Sequence, residues 1–187
     1  MTYFRPSFAA AMMAIAAVSA PMIPSAQARE SAARIAERGH ETLQRLESTE
    51  PRTRLFARHA RAVLVFPGIF KAGLLFGGES GDGVLFVDGK VAGYYNLSGG
   101  TFGFQAGAEN FSYVLYLMND SALRYLHRSS GWAVGTGPSV AIINAGAAAE
   151  SNTTTSNHDV YAFPFNEKGL MADLTLQGTK IAAIHPK

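Results

Sequence analysis

The sequence predicts an α+β fold: N-terminal helices packed on a glycine-rich, mostly antiparallel, curled or barrel-like β-sheet with one inserted helix. Three observations carry this prediction. Of the 19 glycines only Gly39 precedes Gly68, so turn-forming residues crowd the second part of the chain. Apolar residues recur at helical spacing in the first part and as short runs bounded by glycine in the second. A single helix-like segment, residues 119–130, lies among those runs, which argues against alternating β–α–β units.

Residues 1–28, MTYFRPSFAAAMMAIAAVSAPMIPSAQA, carry Arg5 and no acid. Their apolar centre, Ala9 to Ala20, is too short for a membrane-spanning helix, and the segment closes on Ala26-Gln27-Ala28. This is the pattern of a cleaved signal peptide, so the mature chain is expected to begin at Arg29 and to be exported, periplasmic or secreted. Residues 29–50 then form a helical extension. Within RESAARIAERGHETLQRLE the apolar positions Ala32, Ile35, Leu43 and Leu46 share one stripe with Gly39. Glu30–Arg34 and Glu41–Arg45 lie four apart in the favourable order.

The body, residues 51–187, opens with a second helix start at Thr49-Glu50-Pro51, with Ser48 or Thr49 as cap. This helix is expected to carry RTRLFARHARAV toward Pro67, which ends it or the short strand that follows. Arg54, Arg58 and Arg61 then share a face, and Leu55 and Phe56 point elsewhere. Short strands follow at 63–66, 72–78, 83–97 (two strands around Asp88-Gly89), 101–109 and 111–118. A short helix capped by Asn119 or Asp120 interrupts them. Further strands are expected at 131–137, 139–150, 159–165, 169–176 and 180–184, with 151–158 as a polar loop.

Composition excludes several functions. The chain has no cysteine, hence no disulfide, no thiolate nucleophile and no cysteine-ligated metal. Without Arg5 the balance is 15 basic against 14 acidic residues, too mild for a nucleic-acid binder. The distribution is uneven: residues 29–71 hold nine basic and five acidic residues, residues 72–187 six and nine. The stretch KAGLLFGGESGDGVLF, residues 71–86, is no phosphate loop. Gly81-Asp82-Gly83 leads into a strand-like run, Phe86 stands where a dinucleotide fingerprint needs glycine, and two acids occupy the place of donors. It is a β corner whose glycines let strands bend and approach. Glu79 and Asp82 are read as solvated turn acids. Ser98 in NLSGG lacks the nucleophile-elbow pattern, and the five histidines show no ligand spacing. No nucleophile–base pair emerges, so the chain is expected to be no enzyme, with no cofactor and no metal.

Four ordered blocks carry a family resemblance: FARHARAVLVFPGIFKAGLLFGGESGDGVLF, SGGTFGFQAGAENFSYVLYLMNDSALRYL, GWAVGTGPSVAIINAGAAAE and VYAFPFNEKGLMADLTLQGTKI. Over about Ala57 to Ile184 the chain resembles the SYLF family, also called the Ysc84 actin-binding domain. The resemblance implies a lipid-binding module of the phosphoinositide-binding kind, membrane-associated in eukaryotic members, some of which bundle actin. For an exported chain it implies contact with an anionic phospholipid surface, with actin not met in the native compartment. The candidate lipid-binding residues are Arg52, Arg54, Arg58, Arg61 and Lys71, because guanidinium groups grip phosphate oxygens in pairs. The alternative reading is a protein-interaction or structural module of the cell envelope.

Overall fold

The structure, a computed structural model, describes residues 30–73, 76–102, 107–128, 131–144, 157–166, 169–171, 176 and 178–187. The expected signal peptide, residues 145–150 of the expected 139–150 strand, the 151–156 part of the polar loop and residues 172–175 of the expected 169–176 strand lie outside the described residues.

Helix α1 spans Ala32–Thr49, with Ser31 accepting from the Arg34 N–H at 3.4 Å as its cap. Its buried stripe is Ile35, Gly39, Thr42 and Leu46. Gly39 is required there, because a Cβ would overlap Val84 Cγ1 on the sheet beneath. Helix α2 is shorter than expected, Thr53–His59. Ala60 is already extended, and the Arg61 N–H donates to Leu117 O at 2.8 Å, so strand pairing ends the helix before Arg61. Arg61 therefore leaves the helical face on which the spacing had placed it.

Four long strands form the centre of the sheet: β1 (Ala62–Gly73), β2 (Phe76–Val87), β3 (Lys90–Phe102) and β4 (Gly107–Leu117). The glycines expected to separate short strands lie inside long ones, where they bend the sheet instead of ending it. Pro67 likewise does not end β1. Against both β2 and β4 the register slips by one residue across Phe66–Ile69. A β-bulge there absorbs the proline, which has no N–H to give to a ladder. Its carbonyl stays in use, accepting from Ser112 Oγ at 3.0 Å and from Arg38 Nη2 at 3.4 Å. The Asp88-Gly89 hairpin is as expected, with both residues at positive φ (50° and 73°).

Helix α3 (Asp120–Arg128) is the inserted helix; Asn119 Oδ1 caps it by accepting from the Ala122 N–H at 2.9 Å. The remaining strands are β5 (Trp132–Ala133), β6 (Val140–Ile142), β7 (Val160–Asn166), β8 (Gly169–Leu170) and β9 (Thr179–Ile184). The sheet runs β5-β9-β3-β2-β1-β4-β7-β6, with β8 also on β7. Every pairing is antiparallel except β6 with β7. Asp159 ties this end together, accepting from Asn119 Nδ2 at 2.7 Å and from the Ser139 N–H and Oγ at 2.8 Å each. Those donors hold its carboxyl below the usual value.

Alternation along the strands sends side chains to two cores. Leu64, Leu85, Tyr113 and Leu115 point to one face; Val65, Val84, Val114 and Tyr116 point to the other. The first core joins residues of β1, β4, β7 and β9 with Trp132 and α3, so the sheet curls around it. The second lies on the convex face under Ile35 and Leu46 of α1 and Phe56 of α2. The predicted α+β architecture with a curled sheet is what the chain adopts.

Candidate functional site

Helix α2 is held by its inner side. Thr53 is fully buried and donates to Glu50 O at 2.7 Å. The Phe56 ring packs on Tyr161 (4.8 Å between centroids), Phe163 (5.3 Å) and Tyr116 (6.1 Å), and Ala57 and Ala60 join the same core. With positions 53, 56, 57 and 60 turned inward, the outer arc consists of Arg54, Leu55, Arg58 and His59, all exposed. Arg54 and Arg58 stand one turn apart and form no ion pair among the described residues. Leu55 beside them is 59 % exposed, the most exposed large apolar side chain among the described residues. The spacing had pointed Leu55 and Phe56 away from the arginines together; the structure buries Phe56 and leaves Leu55 in the basic arc.

Arg52 precedes the helix and pairs with Glu50 at 3.3 Å. Arg61, just before β1, pairs with Asp120 at 3.4 Å. Both pairs are exposed, and contacts of this kind are worth about 0–1 kcal/mol, so neither arginine is locked away from solvent. Four of the five sequence-chosen residues thus cluster on and around α2. Lys71 does not. It lies at the far end of β1, nine residues beyond Ala62 or roughly 30 Å at about 3.3 Å per residue. It also faces the concave side, in line with Ile69, away from the helices.

Lys71 belongs instead to a row across the strands, opposite Glu79 on β2 and Glu109 on β4. Glu79 is only 6 % exposed, which overturns its reading as a solvated turn acid. Burial pushes its carboxyl above the usual value, and the Lys71 charge opposes that only in part. Asp82 lies on the other face, accepting from Asn96 Nδ2 at 2.7 Å, so the two acids form no carboxylate pair. Nothing in the local sequence marks Glu79 as buried; the signal is the long-range register that sets it beside Lys71. No cluster of metal-ligating side chains occurs among the described residues, and no helix among them is long and apolar enough to cross a membrane.

Residues 98–185 match the family model for Ysc84, described as Las17-binding protein actin regulator. This segment belongs to the Ysc84 family. The matched Ysc84 region begins in β3 and ends after β9, so it contains Glu109 and Tyr113 but neither α2 nor Lys71. Membership is consistent with a lipid- or actin-binding module. No curated protein matches the chain.

Proposed function

We propose that this Ysc84-family protein is an exported lipid-binding module that meets anionic phospholipid through α2. The observation that carries the reading is the outer arc of that helix. Arg54 and Arg58 stand exposed with no ion pair among the described residues, and an exposed leucine lies between them. Arginine binds phosphate oxygens through paired N–H donors, and a leucine at the same height reaches past the headgroups into acyl chains. Arg52 and Arg61 flank the arc and add long-range attraction, since their surface partners release them at little cost. The headgroup follows from the same chemistry: any accessible phosphate is engaged, phosphoinositides included. The leader-like residues 1–28 support export, and an exported chain does not meet actin in its own cell. The residue inventory supports a binding role without catalysis.

The Ysc84 description names a protein partner, and this favours a second reading in which the same arc docks an acidic envelope protein. Vesicle cosedimentation separates the two, using the chain from Arg29 so that the leader's own apolar centre does not bind lipid. Each arginine near an anionic surface contributes about 1 kcal/mol, so Arg54→Ala with Arg58→Ala should weaken binding about 30-fold at low salt. Leu55→Ala should remove about 1–2 kcal/mol more, largely independent of salt. Equal binding to neutral and anionic vesicles, or an unchanged double variant, overturns the lipid reading.

A further inference from the structure

Phe70, toward the end of β1 far from α2, leaves 52 % of its surface in solvent. The register shows what surrounds it. Phe70 lies opposite Ser80 on β2 and Asn110 on β4; Ser80 lies opposite Ser98 on β3, and Ser98 opposite Lys180 on β9. All five side chains are exposed on the convex face, in one row across five strands. The next row, Ala108, Ala72, Gly78 and Gly100, holds nothing larger than a methyl group. A Cβ added at Gly100 would meet no atom within 4 Å, and one at Gly78 only the Gly99 carbonyl at 3.7 Å, so the floor there is open. Helices α1 and α2 pack over Val65, Val84 and Val114 on the other half of this face. An aromatic ring thus stands on a flat, polar, uncovered part of the sheet among the described residues.

Shape and charge narrow what this platform takes. Five strands about 4.8 Å apart and three rows about 6.6 Å apart give a footprint of roughly 500 Å². A stable protein–protein interface needs about 800 Å² from each partner, so a second copy or another folded protein finds too little here. A bilayer is excluded by relief, because α1, a cylinder about 10–12 Å thick, stands on the same face and meets a flat surface before Phe70 does. Charge disfavours an anion as well. Lys180 is the one cation of the row, and the nearest acid, Asp82, is already engaged by Asn96 Nδ2 at 2.7 Å. What remains is a slender, neutral molecule.

The side chains beside Phe70 both give and take hydrogen bonds. Ser80 Oγ accepts from Asn96 Nδ2 at 3.3 Å, which leaves the hydroxyl hydrogen to donate. Ser98 carries a second hydroxyl, and Asn110 an amide with donors and acceptors together. A sugar ring answers both features, with an apolar C–H face for an aromatic ring and hydroxyls around its rim. The strand interval of about 4.8 Å is close to the length of one unit in an extended sugar chain. We propose that this half of the convex face binds an extended, neutral glycan. One sugar ring lies on Phe70, and its neighbours exchange hydrogen bonds with Ser80, Ser98 and Asn110. The site shares no residue with the arginine arc and does not depend on the membrane reading.

The test titrates the full chain with cellotetraose and chitotetraose, two extended neutral glycans, and with maltotetraose, whose linkage coils the chain. Binding is read by NMR shifts of the amides of β1 to β4 and β9. One or both extended glycans should bind, and Phe70→Ala should weaken that binding on the order of tenfold, as loss of an aromatic anchor does. Phe70→Ala should melt with the parent, because the ring it removes is exposed. Gly100→Thr sets a side chain on the open floor without a clash and should block the glycan in a folded protein. No binding of either extended glycan, equal binding of maltotetraose, or full binding by Phe70→Ala overturns the proposal. A dimer in sedimentation equilibrium that Phe70→Ala dissolves would put a second copy on this face instead, and weaker vesicle binding by Phe70→Ala would put lipid there; either overturns it.

Discussion

Gly83→Ala tests the physical reason for the glycine-dense second strand. A Cβ at Gly83 would fall 2.5 Å from Val65 O and 2.5 Å from Phe66 Cδ1. Real Cβ atoms do not approach that closely, and the obstacle is partly backbone, so a rotamer change cannot relieve it. The neighbouring strand β1 must move, at the point where its bulge already fixes the register. Overpacking of this kind costs about 1–3 kcal/mol. For a chain of this size that is roughly 2–4 °C in Tm for each kcal/mol. Gly100→Ala is the control: it lies in β3, and nothing stands within 4 Å of its added Cβ. There the change should be within about 0.5 kcal/mol of neutral, since removing a glycine also restricts the unfolded chain. The assay is reversible urea unfolding of both variants, with far-UV circular dichroism to confirm an intact sheet. Equal stabilities for the two variants would refute the close-approach argument, and with it the reading of residues 71–86 as a bent β corner.

Two further predictions concern groups at the two faces. Glu79 has a raised pKa in the folded protein, so the folded state holds its proton longer than the unfolded chain does. Stability should fall as pH rises from about 4.5 through the folded value, and Glu79→Gln should abolish that loss; thermal melts from pH 4 to 8 showing the same slope for both would refute it. Phe56→Ala should cost about 2–4 kcal/mol of stability, because it empties the ring cluster with Tyr161, Phe163 and Tyr116. It should also loosen α2 and weaken vesicle binding with every arginine still in place; unchanged urea stability would mean that α2 is held by something else.

How far the sequence could be read depends on the range of the interactions involved. Helix α1, the Asp88-Gly89 hairpin and the Asn119 cap were legible because a few neighbouring residues decide each of them. The curled sheet was legible from glycine density, and the close-approach role of Gly81 and Gly83 and the turn at Gly89 were read correctly, although glycines such as Gly99 and Gly100 lie inside a long strand where strand ends were expected. Inside a strand, glycine gives room for a neighbour to approach, and that neighbour is distant in sequence. The same limit hid the end of α2. Arg61 has helical spacing from Arg54 and Arg58, yet its N–H finds Leu117 O, a partner 56 residues away. Lys71 looked like an extension of the basic face because it was nearby in sequence; strand geometry carries it to the opposite end and side of the sheet. Glu79 is the clearest case, since its burial follows only from the register of β1, β2 and β3.

The bulge at Pro67 connects these observations. A strand without it would keep strict alternation, so with Phe66 on the concave face, Ile69 and Lys71 would point to the convex side and Phe70 inward. The extra residue reverses that parity: Ile69 joins the core, Phe70 becomes 52 % exposed, and Lys71 enters the row with Glu79 and Glu109. Proline is suited to this position because the bulge needs no N–H from it, and Arg38 of α1 and Ser112 of β4 both hold its carbonyl. Arg38 is itself fixed by Glu30, at 2.9 Å. The helical extension therefore covers the convex core and also braces the irregularity that assigns side chains to faces. The charge that sequence proximity placed with the α2 arginines lies between Glu79 and Glu109 on the concave face instead, and the cause is a single inserted residue.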